Sequence, residues 1–321
     1  MAGRRVLIAA GAMPAPLKFP GAERLATSED FLNLDRMPPR IVFVGGGYIS
    51  FEFAHVAARA GAEVTILHRG ARPLEGFDPG LVDLLVRRTR ELGIRVELDT
   101  EVLGVDSGGS DLTVRGRQRG TERHFGADMV AHGAGRVPEL DDLDLDAAGV
   151  EREKRGVTVN EYLQSVSNPA VYAGGDAAAS GPALTPKADH DAAVLVTNLL
   201  EGNRRAVNYE GIASAVFTIP PLASAGLTED AARAAGLKFR TSWQDTSGWF
   251  NTRRVGETAS GFKVLIEEGT GRILGAHLLG PHAAEVINLF AVAIRLRIPA
   301  DDLQQVIFAY PTNGSDIRFM L

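Results

Sequence analysis

Residues 41–52 read Ile41-Val42-Phe43-Val44-Gly45-Gly46-Gly47-Tyr48-Ile49-Ser50-Phe51-Glu52, the most informative run in the chain. An apolar, β-branched strand enters a glycine turn, and a helix opens directly behind it. Strand, GxGxx with a small third residue, then helix is the arrangement that holds a dinucleotide pyrophosphate. Gly45 permits the tight turn, Gly47 lets the backbone approach the phosphates, and Ser50 is small enough for the helix to pack on the sheet. The anion then rests on free N–H groups at the helix N-terminus, with the macrodipole behind them. A plain βαβ unit with a glycine-rich turn has the same local signature. The flanks add specificity: after a helix-length gap closed by Gly61, Glu63-Val64-Thr65-Ile66-Leu67 reads as the next strand.

Working outward, Arg5–Ala10 reads as a strand followed by Gly11 and a proline-rich segment, and Pro38-Pro39 punctuates the approach to the glycine turn. Downstream come a helix over 78–92, a strand over 94–98, a β-meander over 102–125 and a buried-looking strand, Met129-Val130-Ala131, ending in Gly133-Ala134-Gly135-Arg136. Strands at 157–159 and 170–173 precede Gly174-Gly175-Asp176 and a helix over 187–200. The last part holds strands at 263–267 and 273–279, a helix over 282–296, and a short terminal helix after Tyr310-Pro311-Thr312. The helix over 282–296 has apolar residues on more than one face, which implies burial on both sides.

The 321 residues suffice for two or three domains with real cores. A net charge of −6 gives no electrostatic reason to expect nucleic acid or an acidic membrane as partner. No apolar run approaches the ~18 residues of a spanning helix and no signal peptide precedes the first strand, so a cytoplasmic location is expected. The absence of cysteine excludes a disulfide, a thiolate metal site and a redox-active cysteine within these residues. The seven histidines lack metal-ligand spacing, so no metal site is expected.

Five motifs in order carry a family resemblance: Leu7-Ile8-Ala9-Ala10-Gly11-Ala12, the glycine run 45–52, Gly135-Arg136-Val137-Pro138, Ala173-Gly174-Gly175-Asp176 and Leu184-Thr185-Pro186. With these the chain resembles the C-terminal two-thirds of the flavin-dependent pyridine nucleotide–disulfide oxidoreductases, the group of glutathione reductase, dihydrolipoamide dehydrogenase and mercuric reductase. The resemblance implies an α/β fold in which a Rossmann-like NAD(P)-binding domain (36–136) is inserted in a partial FAD-binding domain (1–35 and 137–203). An α+β dimerisation domain (204–321) follows, and a homodimer is expected.

Roles for single residues follow from the same resemblance. Gly11 turns the chain beside the flavin, and Gly135 and Arg136 form a cofactor-binding turn. Gly45, Gly47, Tyr48, Ile49 and Glu52 belong to the nicotinamide nucleotide loop. Tyr48 covers the nicotinamide side of the flavin, and Glu52 reaches the reacting edge. A solvated helix carboxylate is the alternative for Glu52, though Phe51 and Phe53 beside it favour a packed helix. Asp176 accepts a hydrogen bond from a ribityl hydroxyl of FAD, or it caps the next turn. Thr185 opens a helix aimed at the flavin pyrimidine edge, or is only a cap.

The reductant is read from Leu67-His68-Arg69-Gly70-Ala71-Arg72. NAD sites place an acid at the end of the second strand for the ribose hydroxyls, whereas NADP sites place cations there. Here a histidine stands in place of the acid and two arginines follow. Arg69 matches the family's phosphate-binding arginine, Arg72 offers a second contact, and Glu75 stands near a further arginine of the family. NADPH is expected over NADH.

Two departures qualify the resemblance. The family's opening segment, with the FAD pyrophosphate loop and the redox cysteine pair, has no counterpart. A mis-set start, a separate N-terminal half and a fragment all remain open, and the polypeptide alone is expected to bind FAD poorly. Second, Tyr310-Pro311-Thr312-Asn313-Gly314-Ser315 replaces the family's histidine–glutamate motif. Tyrosine, with an ordinary pKa near ~10, is a poor general base at neutral pH. Tyr310 is then a hydrogen-bond donor or metal ligand at the catalytic position, as in mercuric reductases, or an interface aromatic. The expected function is hydride transfer from NADPH to FAD and on to a disulfide or other small acceptor. The alternatives are a reductase for non-thiol acceptors (quinone, metal ion) and a catalytically silent binding and dimerisation module.

Overall fold

The structure is a computed structural model describing residues 3–109 and 111–321; residues 1 and 2 of the expected first segment lie outside it. Two units separate by their internal contacts. One comprises the described residues up to Pro16 with Gly135–Tyr209, the other Leu17–Ala134 with Glu210–Leu321.

In the second unit, Ile41, Val42, Val44, Val64 and Ile66 suit strands buried on both faces. Four parallel strands run in the order Arg95–Glu97, Glu63–Leu67, Arg40–Val44, Met129–His132. From Arg40–Val44 the chain builds outward to one side, then returns to add Met129–His132 on the other. That reversal puts a crevice at the carboxyl end of Arg40–Val44, where ligands bind in open α/β sheets. One face of the sheet packs Phe43 and Ile66 against Phe51, Ala54 and Leu81, from helices Tyr48–Arg59 and Pro79–Glu91. The other packs Val42, Val44 and Val130 against Val105, Val114 and Phe125 of the expected meander, strands Thr100–Gly108, Asp111–Gln118 and Thr121–Ala127.

The same unit holds a five-stranded antiparallel sheet in the order Ala213–Val216, Leu222–Gly226, Ile273–Leu279, Gly261–Glu267, Phe239–Asp245. Only the two strands at 261–267 and 273–279 stand out in the sequence. Val216, Leu222 and Leu279 belong to the core that contains Phe43 and Phe51, so the two sheets share apolar packing. Helix Ala283–Arg295 buries Val286, Ile287, Phe290 and Ile294 on this sheet. Within one chain the opposite face stays open: Leu289 and Val292 are 38% and 51% exposed. The expected terminal helix is a 3₁₀ segment, Asn313–Phe319.

In the first unit, Val6–Ile8 lies parallel to Val171–Ala173, and Ala12–Pro14 runs antiparallel to Arg136–Pro138. Helix Thr185–Glu201 buries Val194 and Leu195 with Tyr172 and Leu163. The strand expected at 157–159 is shorter, Gly156–Val157, and pairs with Arg152–Glu153.

Candidate functional site

The glycine turn stands at the crevice mouth. Gly45 has φ +110°, and a Cβ there would meet the Gly133 carbonyl oxygen at 2.2 Å, so no other residue fits. Gly47 has an ordinary φ of −84°, and a Cβ on it would lie 3.3 Å from the same oxygen. A side chain at Gly47 would thus press on Gly133, without strain in the backbone angles. No side chain caps the helix at Gly47, so its first N–H groups are offered to an anion rather than closed by a capping oxygen. Ser50 is fully buried, its Oγ has no hydrogen-bond partner among the described residues, and a Cβ on Gly133 would fall 1.9 Å from it. Helix and sheet touch there without room for one more atom. These features form a cradle that fits a dinucleotide pyrophosphate.

At the end of the second strand, His68 does not face outward as a ribose ligand. Its Nε2–H donates to the Arg72 carbonyl at 2.8 Å, and its ring lies where a Cβ on Gly46 would stand. The imidazole thus ties the arginine loop to the glycine turn. Arg69 and Arg72 are exposed, and neither guanidinium makes an ion pair or hydrogen bond among the described residues. Glu75 lies in the same loop, its Oε1 3.5 Å from the place of a Gly70 Cβ. Two uncommitted cations stand here with one carboxylate nearby, and such guanidinium groups can hold an anionic group.

Tyr48 is 47% exposed on the first turn of the helix. Ile49 is half-buried beside it. Glu52, one turn later, is half-buried and accepts the Phe217 N–H at 2.9 Å. Burial raises its proton affinity, and the Phe217 bond opposes that rise. The packed-helix description holds, with Phe51 fully buried. His55 escaped the sequence reading. It is buried, its Nδ1 accepts the Ile219 N–H at 3.1 Å, and its Nε2–H donates to Thr89 Oγ1 at 3.0 Å. Burial, then the charges of Arg59 and Arg88, push its pKa down to about 4. A histidine amid Phe51, Ala54 and Ala57 was the available signal. Tyr310 is 79% exposed.

The first unit gathers the remaining candidates. Gly11 has φ +73°, its carbonyl accepts the Glu139 N–H, and Arg136 donates to the Ala12 carbonyl. Gly11, Gly135 and Arg136 therefore form one corner. Strands Val6–Ile8 and Val171–Ala173 end side by side, and the Gly174 N–H donates to the Ile8 carbonyl at 3.1 Å. Just beyond lies Asp176, half-buried in the 3₁₀ turn Gly175–Ala177; its carboxylate has no hydrogen-bond or ion-pair partner among the described residues and does not cap that turn. Thr185 is the first residue of its helix, exposed, and Leu184 occupies the cap position without a side-chain bond. The capping alternatives for Asp176 and Thr185 are thus not realised. A half-buried carboxylate without partner fits a hydroxyl-bearing ligand such as the ribityl chain of a flavin.

Comparison with known proteins agrees with this geometry. The family model for pyridine nucleotide-disulphide oxidoreductases matches residues 1–192, and the dimerisation-domain model of the same family matches 212–319. The chain belongs to this family. Among its relatives is an uncharacterized 19.7 kDa protein in the mercuric resistance operon of Staphylococcus aureus, 50% identical over 180 residues, which are 56% of this chain and all of that one. The mitochondrial dihydrolipoyl dehydrogenase of Pisum sativum is 31% identical over 98% of this chain, which spans 64% of that enzyme's length. The HOCl-induced flavoprotein disulfide reductase RclA from Escherichia coli superimposes with a TM-score of 0.88 at 25% identity, covering 100% of this chain and 73% of that one. The fold is accordingly the mixed α/β redox domain of the family followed by its dimerisation domain. Among the described residues no cluster suits a metal ion, and no helix is long and apolar enough to cross a membrane.

Proposed function

We propose that this chain works in a FAD-dependent NAD(P)H oxidoreductase of the pyridine nucleotide–disulfide type, with NADPH as reductant and a disulfide or another small molecule as acceptor. The observation that carries the reading is the glycine cradle at the strand reversal, with an uncapped helix behind it and two uncommitted arginines at the next strand's end. Residues 36–136 are assigned to the coenzyme, 1–35 and 137–203 to the flavin, and 204–321 to dimerisation, in a cytoplasmic homodimer.

Gly45 and Gly47 admit the pyrophosphate, Ile49 lines its loop, and Arg69 and Arg72 bind the 2′-phosphate. Tyr48 gates the nicotinamide, and Glu52, pinned by Phe217, keeps a carboxyl one turn behind it. Gly11, Gly135, Arg136, Asp176 and Thr185 serve the flavin, with Asp176 accepting from a ribityl hydroxyl. The bound flavin supplies the two-electron chemistry between coenzyme and acceptor.

Titration of the 321-residue chain with NADPH and NADH, followed by nicotinamide fluorescence, tests the nucleotide reading. NADPH is expected to bind at least about tenfold tighter, and Arg69→Gln with Arg72→Gln to bring it to the NADH value. Tighter NADH binding overturns the preference; no uptake of either overturns the site.

Tyr310 favours a second reading for the acceptor. An exposed phenol, with the Ser315 side chain bonded among the described residues to Thr312, offers no imidazole to protonate a leaving thiolate. Quinones and metal ions, mercuric ion among them given the operon of the Staphylococcus relative, then join disulfides as acceptors. Steady-state NADPH oxidation by the flavin-loaded enzyme, with each acceptor in turn, separates the two.

A further inference from the structure

We propose that Lys187 and Asp191 are positioning residues for the flavin: their buried ion pair clamps the Gly175 peptide and thereby fixes the stance of the Asp176 carboxylate. The inference rests on the reading of Asp176 as the ribityl-hydroxyl acceptor and adds two residues which that reading leaves unused.

Lys187 and Asp191 lie one turn apart on helix Thr185–Glu201, with side chains 1% and 0% exposed and Nζ 2.8 Å from Oδ2. Nζ also donates to the Gly175 carbonyl at 2.8 Å, and Oδ2 accepts the Gly175 N–H at 3.0 Å. Both polar groups of one residue are thus held by opposite charges from a single helical turn. Asp191 Oδ1 accepts the Tyr209 hydroxyl at 2.7 Å, and the Tyr209 ring centre lies 5.8 Å from Nζ. Burial, then the bond to Asp191, pushes the Tyr209 phenol upward, so it stays a donor. The carboxylate is satisfied on both oxygens.

The backbone leading to Asp176 is therefore pinned residue by residue. Gly174 bonds to Ile8 of the neighbouring strand, and Gly175 to the helix; Asp176 alone keeps an uncommitted side chain. Gly175 sits in the left-handed region at φ +60°, and Ala188 approaches it so closely that a Cβ there would lie 3.4 Å away. Helix packing alone does not call for these charges. A buried ion pair carries a large desolvation cost, and well-packed apolar residues of similar size often serve stability equally well or better. What apolar residues cannot supply is a donor and an acceptor for the Gly175 peptide.

That difference gives the test. The double variant Lys187→Met/Asp191→Leu removes both charges together. It is expected to stay folded with a thermal midpoint at or modestly below wild type, the lost desolvation cost offsetting part of the loss from the unpaired Gly175 peptide, while amide exchange at 175–177 accelerates about tenfold or more and FAD, titrated by its fluorescence, binds about tenfold more weakly. Asp176→Asn alone is expected to lose a similar factor, and the triple variant no more than the larger single loss, because the clamp acts through Asp176. Unchanged exchange in the double variant overturns the clamp. Unchanged FAD affinity, or additive losses in the triple variant, overturns the positioning role. If Asp176→Asn binds FAD as well as wild type does, the reading of Asp176 fails instead; in that case, or where the chain alone takes up too little flavin to titrate, the exchange data judge the clamp by themselves. Should the double variant unfold, Asp191→Asn, which keeps the Gly175 acceptor, must retain both slow exchange and FAD affinity better than Asp191→Leu; equal losses overturn the proposal.

Discussion

His55 and Glu52 are ionisable groups on one helix whose environments move them in opposite senses. His55 is held neutral, its pKa down at about 4 against an ordinary 6.5. Between those values the unfolded chain takes up a proton that the folded chain refuses. The stability is complete above pH 6.5 and is lost as pH falls towards 4, by on the order of 3 kcal/mol across the window. The urea midpoint at pH 7 and at pH 4.5 should therefore differ less in His55→Gln than in wild type, and the variant should be weaker at pH 7. Parallel slopes would dismiss His55 as the cause. In the arginine loop, Glu75 lies beside the expected phosphate position, so Glu75→Gln should tighten NADPH by a few-fold and leave NADH unchanged in the same fluorescence titration. The sequence made Arg69, Arg72 and Glu75 visible as a charge pattern. It did not reveal that His68 folds inward onto Gly46 and Arg72, because a residue's identity does not specify its rotamer.

Elements were legible where period and punctuation agree. Strand Arg40–Val44, its glycine turn and helix Tyr48–Arg59 carry all three signals: β-branched residues, glycine, then apolar residues at helical spacing. Strands Ala213–Val216, Leu222–Gly226 and Phe239–Asp245 were not legible. The first two are rich in alanine and serine, and the third is largely exposed, so neither alternation nor β-branching marks them. Two glycines of the turn make a sharp contrast. Gly45→Ala forces a side chain into the left-handed region and against Gly133, and should cost roughly 2–4 kcal/mol in chemical denaturation. Gly47→Ala has permitted backbone angles, and its Cβ would press on the Gly133 carbonyl oxygen at 3.3 Å, so it should cost less stability than Gly45→Ala; on the proposed coenzyme reading it should also bind NADPH at least about tenfold more weakly. Equal stability losses in the two variants would contradict this division.

For the whole molecule, the exposed side of helix Ala283–Arg295 belongs with the family's dimerisation domain. Leu289→Asp with Val292→Asp should turn a dimeric mass in light scattering into a monomeric one without altering the far-ultraviolet spectrum; a monomeric wild type would remove the premise. Order of motifs made the architecture readable from sequence. The joint core of the two sheets in the second unit was not, since Val216 and Leu279 are ordinary apolar residues until their partners are known. The interleaving of the units bears also on biosynthesis. When strand Val6–Ile8 leaves the ribosome, its hydrogen-bonding neighbour, Val171–Ala173, is not yet translated. Exposed Val6 and Leu7 must wait while everything from Leu17 to Ala134 is made. The waiting strand is thus a natural client for chaperones, and slowing elongation ahead of residue 171 should lengthen the time it can be captured.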